Sequence, residues 1–264
     1  MKSYRWDAEE YARNSSAQLA WARELIGKLS LRGHERILDI GCGDGKITAE
    51  LARLAPRGEA VGVDNSEEMI RRASAAFPAA SIPNLSFKRM DAGALSFEAP
   101  FDVAFSNAAL HWLRDHASML RGVAAILKPG GRLLFQMGGR GNGAEIFSVL
   151  DEMIAADPWQ RYFPGIEFPW GFYGPEEYAG WLADAGLRAR RIELLPRDMK
   201  QKGRDGLIGW VRTTWMPYTE RVPEALREKF LFEAVDRYLG RRPLTADGDA
   251  VVRMVRLEVE AEKA

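Results

Sequence analysis

Short apolar runs alternate with amphipathic stretches through the first half of the chain, and that alternation predicts its elements. Residues 36–40 and 59–64 are apolar runs too short for helices and read as buried parallel strands. Between them, residues 45–55 carry Ile47, Leu51 and Leu54 at helical spacing. The next helix is expected over 66–77, with Ser66 as its N-cap. Strands three, four and five are expected at 85–90, 101–105 and 132–137. A helix falls at 116–127, and Lys128-Pro-Gly-Gly131 turns the chain into strand five. An amphipathic helix over about 7–29 precedes them all. Strands that alternate with helices in this way predict a doubly wound α/β fold.

After strand five the pattern changes. Helical stretches at 143–156 and 175–185 surround an aromatic and proline-rich run, Tyr162 to Tyr173. Strand six is expected at 188–195, a long helical stretch at 204–240, and a last strand at 251–260. The late helices have no long linkers and are expected to pack as a lid beyond the carboxyl ends of the strands, where ligands of such folds bind.

Chemistry concentrates at the end of strand one. Asp39-Ile-Gly41-Cys42-Gly43-Asp44-Gly45 joins strand to helix through a turn that lets backbone approach a ligand closely. Asp64 closes the second strand, where a carboxylate can accept the two hydroxyls of a ribose. The glycine spacing is not the G-x-G-x-x-G of dinucleotide folds, and acids at 39 and 44 make a poor cradle for pyrophosphate. They suit a nucleoside carrying an ammonium and a sulfonium.

Composition narrows the class. Of 264 residues, 37 are Lys or Arg and 37 Asp or Glu, so the formal net charge is zero and there is no electrostatic footprint for nucleic acid or an anionic membrane. The single cysteine, Cys42, excludes an internal disulfide and reads as a small filler in the glycine turn. No apolar run is long enough to span a bilayer and no signal-peptide pattern opens the chain, so a cytoplasmic enzyme is the expectation.

These motifs resemble the first motif of class I S-adenosylmethionine-dependent methyltransferases, over about residues 36–137. The resemblance implies a Rossmann-like, mostly parallel seven-stranded sheet whose last strand is antiparallel, with helical lid insertions after strands five and six. It divides one structural domain into a cofactor-covering helix (1–30), a cofactor-binding core (31–140) and the remaining strands with their lid (141–264). S-adenosylmethionine is the implied cofactor, with no metal. Asp39 would position the turn and the methionyl ammonium. Gly41, Cys42, Gly43 and Gly45 would line the methionyl and ribose portions, and Asp64 the ribose. Asn65 and Met69 would flank the adenine, Asp91 and Ala92 would reach its amino group, and Asn107 would lie beside the sulfonium.

The loop after strand four speaks to the acceptor. Ser106-Asn-Ala-Ala-Leu-His-Trp112 lacks the prolines and stacking aromatic of nucleobase amino-methyltransferases. Together with Leu127-Lys-Pro-Gly-Gly131 and Trp6-Asp-Ala-Glu-Glu-Tyr11 it is similar to the trans-aconitate and juvenile hormone acid methyltransferase families. A small carboxylic acid is the implied acceptor, with no nucleic acid or membrane partner, for a monomer or homodimer. A carboxylate is ionised at neutral pH, so its methylation needs orientation and exclusion of water but no general base. Neutral donors can grip one of its oxygens, and Gln18 and Trp112 are the candidates. Trans-aconitate methyltransferases tend to carry arginine where this chain has Gln18, which favours a more apolar acid.

His111 is the candidate base for an alternative phenol or enol acceptor, in O- or C-methylation. His34 and His116 read as surface residues. Tyr11, Arg140, Trp170, Tyr173, Trp215 and Tyr218 are the candidate acceptor-pocket residues. A non-catalytic S-adenosylmethionine sensor is the reading from a different class.

Overall fold

The computed structural model describes residues 16–264, with side chains from Trp21 onward. Tyr11 and the Trp6–Tyr11 segment fall outside the described residues, and so does the Gln18 side chain. The first helix, α1, is described over Ser16–Lys28.

The alternation of strand and helix builds the expected sheet. Strands β1 (Arg36–Ile40), β2 (Glu59–Asp64), β3 (Leu85–Arg89), β4 (Phe101–Asn107) and β5 (Leu127–Gly138) are parallel. Strand β7 (Asp249–Lys263) inserts antiparallel between β5 and β6 (Leu187–Lys202). The spatial order is β3-β2-β1-β4-β5-β7-β6. It reverses between β1 and β4, and a crevice forms beyond the carboxyl ends at such a switch point.

Helices cover both faces. On one face α1 and α2 (Lys46–Leu54) bury Leu25, Leu29, Ala49 and Leu51 against Ile37, Phe105 and Leu134. On the other, α4 (His116–Ile126) and α6 (Pro175–Asp184) bury Leu120, Val123, Tyr178 and Leu182 against Leu38, Phe135 and Val259. Helix α3 (Glu67–Ala76) starts at Ser66, whose side chain accepts from the Met69 N–H as a cap. The buried stripe of α2 is Thr48, Ala49, Leu51 and Ala52, so the expected face is rotated and Leu54 is exposed.

The largest departure is at β6 and β7. Expected at 188–195 and 251–260, they extend to Lys202 and back to Asp249, in continuous pairing through Lys202↔Asp249. This ribbon rises past the sheet and carries Met199, Val252 and Met254 into a second core. Helices α5 (Ala144–Ile154), α7 (Gly203–Thr214), α8 (Met216–Thr219) and α9 (Glu224–Arg241) complete that core with Phe147, Trp210, Trp215 and Phe230. The expected helical lid therefore stands on a strand ribbon. Pro196 sits in β6, the edge strand, where a missing N–H is tolerated.

Candidate active site

The turn after β1 is held by backbone. The N–H groups of Gly41 and Cys42 both donate to the Val63 carbonyl, at 2.8 and 3.0 Å. The carboxylate of Asp64 ties the turn to α3: it accepts the Gly43 N–H at 3.1 Å and the Ser66 N–H at 2.8 Å. Each of its oxygens keeps a lone pair for a further donor. Burial holds Asp64 above the ordinary carboxylate range. Asp39 is buried at 2% exposure and accepts the Thr48 hydroxyl at 2.7 Å. Burial foremost, with Asp64 adding and Thr48 opposing, pushes it up to about 7. A cation arriving at this turn would meet two carboxylates whose ionisation it favours.

The three glycines do different work. A Cβ at Gly43 would meet nothing within 4 Å, and its φ of +53° is left-handed, so here the turn is open and glycine is required by its conformation. Gly45 caps α2, and a Cβ there would lie 2.6 Å from the Phe87 ring and 2.9 Å from Ala73, so its missing side chain is required by packing. At Gly41 a Cβ would lie 2.1 Å from that of Ala109, in the loop after β4. Cys42 is buried, and burial raises its thiol well above the ordinary value, in line with a filler.

The remaining nucleoside candidates lie along the same edge, because β3, β2, β1 and β4 are neighbours. Asn65 follows β2 and is half-buried; Met69, on α3, is buried. Asp91 follows β3 and accepts the Gly93 N–H at 2.8 Å, capping a short turn that begins at Ala92. Asn107 ends β4.

Beyond β4 and β5 lies an aromatic cavity of about 590 Å³ including its open mouth. Its walls come from five segments distant in sequence. The loop after β4 gives Ala108, His111 and Trp112; α5 with its lead-in gives Asn142 and Phe147; the stretch before α6 gives Trp170 and Phe172. Trp210, Thr214 and Trp215 come from α7 and its end, and Met254 and Arg256 from β7. Ala108 has a φ of +55°, a strained conformation for a residue with a Cβ. The rings pack closely: Trp112 meets Trp170 edge-on at 5.8 Å, and Phe147 stacks on Trp215 at 5.6 Å.

His111 is half-buried in this wall, its open side toward the cavity and not bulk water. Desolvation, then the charge of Arg256 and the neighbouring His116, lower it to about 3. The Gly138 N–H donates to its Nδ1 over a long 3.4 Å, which assigns the proton of the neutral ring to Nε2. His111 thus offers the cavity a donor and is a poor base.

Several expectations are corrected here. His116 is fully buried, not at the surface. Its Nε2–H reaches the carbonyls of Leu110 and Leu113 at 2.9 and 3.0 Å, its Nδ1 lies 2.6 Å from the Tyr178 hydroxyl, and burial lowers it to about 4. It fastens the loop after β4 to α4 and α6. Arg140 is not among the residues that line the cavity and pairs with Glu177 at 2.6 Å and Glu176 at 3.0 Å. The Tyr173 hydroxyl donates to the Arg114 carbonyl and its ring packs on His116 and Trp181. Tyr218 sits one layer behind the wall, stacked on Trp170 at 5.7 Å. Trp170 and Trp215 line the cavity as expected.

Arg256 was missed. It is 5% exposed, lines the cavity, and lies over the Trp21 ring at 4.3 Å from its centroid. The available signal was its place on the inward face of β7, in step with buried Val252, Met254 and Glu258. Among the described residues no group of three His, Cys, Asp or Glu could hold a metal ion, and no helix is long and apolar enough to cross a membrane.

Comparison with known proteins agrees with this geometry. Residues 37–131 match the methyltransferase domain family. The chain is 32% identical over 223 residues to a trans-aconitate 2-methyltransferase of Azoarcus sp. (strain BH72), covering 83% of each chain. It is 31% identical over 255 residues to one of Deinococcus radiodurans, covering 93% of each. In fold it resembles Haemonchus contortus phosphoethanolamine N-methyltransferase 2, solved with phosphomonomethylethanolamine and S-adenosylhomocysteine. That likeness has a TM-score of 0.63 at 18% identity, over 97% of this chain and 56% of the other. The open backbone at Gly43, the buried carboxylates of Asp39 and Asp64, and relatives that match nearly end to end assign the chain to the class I S-adenosylmethionine-dependent methyltransferases, homologous to the trans-aconitate 2-methyltransferases.

Proposed function

We propose that this enzyme methylates a carboxylate oxygen of a small acid, forming a methyl ester. One observation carries the reading: in the wall of the aromatic cavity the buried Trp215 indole N–H has no hydrogen-bond partner among the described residues, and His111 in the same wall is lowered to about 3 by burial. A wall with a waiting donor and no effective base suits an acceptor that arrives ionised, as a carboxylate does at neutral pH. The relatives named for trans-aconitate support a carboxylate acceptor from a separate direction.

When bound, S-adenosylmethionine supplies a sulfonium-borne methyl group, whose transfer forms an O–CH3 bond, leaves the S–CH3 electron pair on sulfur and moves no proton. Asp64 would hold the ribose hydroxyls, and Asp39, buried beside it, would favour the ammonium. Gly43 would let the turn lie against the methionyl chain. The aromatic walls exclude water from the reacting oxygen and carbon, and the Nε2–H of His111 and the Trp112 indole are suited to orienting the acid. Gln18 and Tyr11 stay candidates from the sequence alone. The base-assisted phenol or enol alternative loses support, since a histidine lowered to about 3 is a weak proton acceptor for a phenol and its Nδ1 faces the Gly138 N–H.

The test is methyl transfer from labelled S-adenosylmethionine to a panel of carboxylic acids, phenols and amines, followed by a mild alkali wash. Label released as methanol marks a methyl ester. Alkali-stable label overturns the reading, and label on no acceptor at all favours a cofactor-binding sensor. A pH–rate profile adds to it. At saturating S-adenosylmethionine an acid should be methylated at a flat rate from pH 6 to 9, whereas an unassisted phenol should speed up toward its own pKa of about 10.

A further inference from the structure

We infer that the Trp215 indole N–H holds one oxygen of the acceptor's carboxylate, and that the acid so held carries an aromatic or apolar body. The inference rests on the carboxylate reading and goes beyond it, to the group that grips the acid and the kind of acid gripped.

Trp215 holds an unmet donor in a core that satisfies its others. The residue is 1% exposed and lines the cavity, and its indole N–H has no hydrogen-bond partner among the described residues. Trp159, buried as deeply, donates its N–H to Glu233 at 2.9 Å. The hydroxyl of buried Tyr238 donates to the Val251 carbonyl at 2.8 Å. Both belong to the same second core as Trp215. A buried N–H without an acceptor carries its full desolvation penalty. In the wall of a cavity, such a donor points to an oxygen that arrives with a ligand.

The neighbours do not supply that oxygen. The Trp215 ring stacks on Phe147 at 5.6 Å, and a phenyl ring has no acceptor atom. Thr214, the last residue of α7, donates its hydroxyl to the Trp210 carbonyl at 2.7 Å. Asn142 uses its Oδ1 to accept the Val255 N–H at 3.0 Å. Arg256 is engaged within the protein and lies over the Trp21 ring. A ligand oxygen that parts the Trp215–Phe147 stack would satisfy the indole.

A neutral donor also fits the chemistry. An indole has one proton to share, so it binds one carboxylate oxygen and leaves the other its lone pairs for attack on the methyl carbon. Around it Trp112, Phe147, Trp170, Phe172 and Trp210 present ring surface, which rewards an acid with a flat apolar body.

The experiment uses the full chain saturated with S-adenosylhomocysteine. The probes are indole-3-acetate, phenylacetate and cinnamate, their parents without the carboxylate (3-methylindole, toluene and styrene), and acetate. At least one of the three acids should bind, at least about tenfold tighter than acetate. In protein labelled with 15N, the Trp215 indole N–H proton resonance should move downfield with that acid and not with its parent. Trp215→Phe should weaken the acid on the order of tenfold and leave the parent within about twofold, with affinity for S-adenosylhomocysteine unchanged. A Trp215 resonance that does not move downfield overturns the inference. So does equal weakening of acid and parent, which would make Trp215 a packing residue, and so does acetate binding as tightly as the larger acids. If Trp215→Phe does not fold, as loss of S-adenosylhomocysteine binding would reveal, the resonance and the acetate comparison decide. Alkali-labile label together with any overturning result leaves ester formation standing and removes only the Trp215 anchor. Alkali-stable label, or binding of none of the three acids, removes both.

Discussion

Replacing Asp64 by alanine separates a ligand-binding carboxylate from a merely structural one. In the free protein its oxygens accept two backbone N–H groups, from Gly43 at 3.1 Å and Ser66 at 2.8 Å. Losing them costs stability, but the same carboxylate is held above its ordinary range by burial, so its removal also relieves a desolvation penalty. The two terms oppose, and the net change in stability should stay within about 1 kcal/mol, or roughly 2–4 °C in Tm for a chain of this length. Ligand binding has no such offset. Ribose hydroxyls buried without an acceptor should cost roughly 1–3 kcal/mol, which is about 5- to 150-fold in Kd. Asp64→Asn should not rescue, because both oxygens face N–H donors and an amide must turn its NH2 toward one of them. Calorimetric titration with S-adenosylhomocysteine reads the affinity and a thermal melt reads the stability. Unchanged affinity in Asp64→Ala, or a loss of Tm far beyond 4 °C, would refute the reasoning.

Three further outcomes follow from the same residues. Asp39 is raised to about 7 in the free protein, so an ammonium bound near it should lower its pKa and expel a proton. Affinity for S-adenosylhomocysteine should rise from pH 6 to pH 8, the heat of binding should vary with buffer ionisation enthalpy near pH 7, and Asp39→Asn should abolish both. His116 is lowered to about 4 against an ordinary 6.5, so the unfolded chain takes up its proton first as the pH falls. The stability advantage of wild type over His116→Gln should therefore shrink by about 1.4 kcal/mol per unit from pH 6.5 down to about 4, read by urea denaturation; a constant difference would contradict the buried neutral ring. Gly41→Ala should weaken the cofactor and raise the acceptor KM together, because the new methyl group strikes Ala109. Adding Ala109→Gly should recover most of the acceptor term and leave only the strain of a left-handed alanine, about 1–2 kcal/mol; no recovery in the double variant would show that the clash is not the cause.

The fold around the glycine turn was legible in the sequence because it is local. Asp39, the glycine turn and Asp64 lie within 26 residues of one another, and each strand end announces itself by an apolar run that stops at an acid. What periodicity could not say was which glycine of the turn has open space beside it. Gly41, Gly43 and Gly45 all adopt left-handed backbone, yet only at Gly43 is the space around a Cβ empty, and that depends on Ala109, Phe87 and Ala73 from elsewhere in the chain. The acceptor half was harder for the same reason. Its wall joins residues from 108 to 256, and Phe147, Trp210 and Met254 each carry the pattern of ordinary core. Arg140 looked free for a substrate beside strand five, but Glu176 and Glu177, 36 and 37 residues on, take it up. The ribbon of β6 and β7 was shortened in the sequence reading because charged residues on both faces of 196–202 hide the alternation.

The loop after β4 joins these two halves. Ala109 packs on Gly41 in the turn after β1, and its neighbours Ala108, His111 and Trp112 line the aromatic cavity. The strained φ of Ala108 lets the chain leave β4 and turn back toward both sites within two residues. Its backbone N–H is held by the Gln136 carbonyl at 2.8 Å, and buried His116 fastens the far end of the loop to α4 and α6. A segment fixed at both ends cannot move one wall without the other. The glycine turn and the aromatic cavity wall are thus linked through covalent neighbours in one loop. The same constraint explains why a histidine at this position is tuned as a neutral donor. It is tied to β5 through the Gly138 N–H on Nδ1 and lies in the same wall as Arg256, so Nε2 carries the proton of the neutral ring; on the carboxylate reading proposed above, the acceptor brings its own charge.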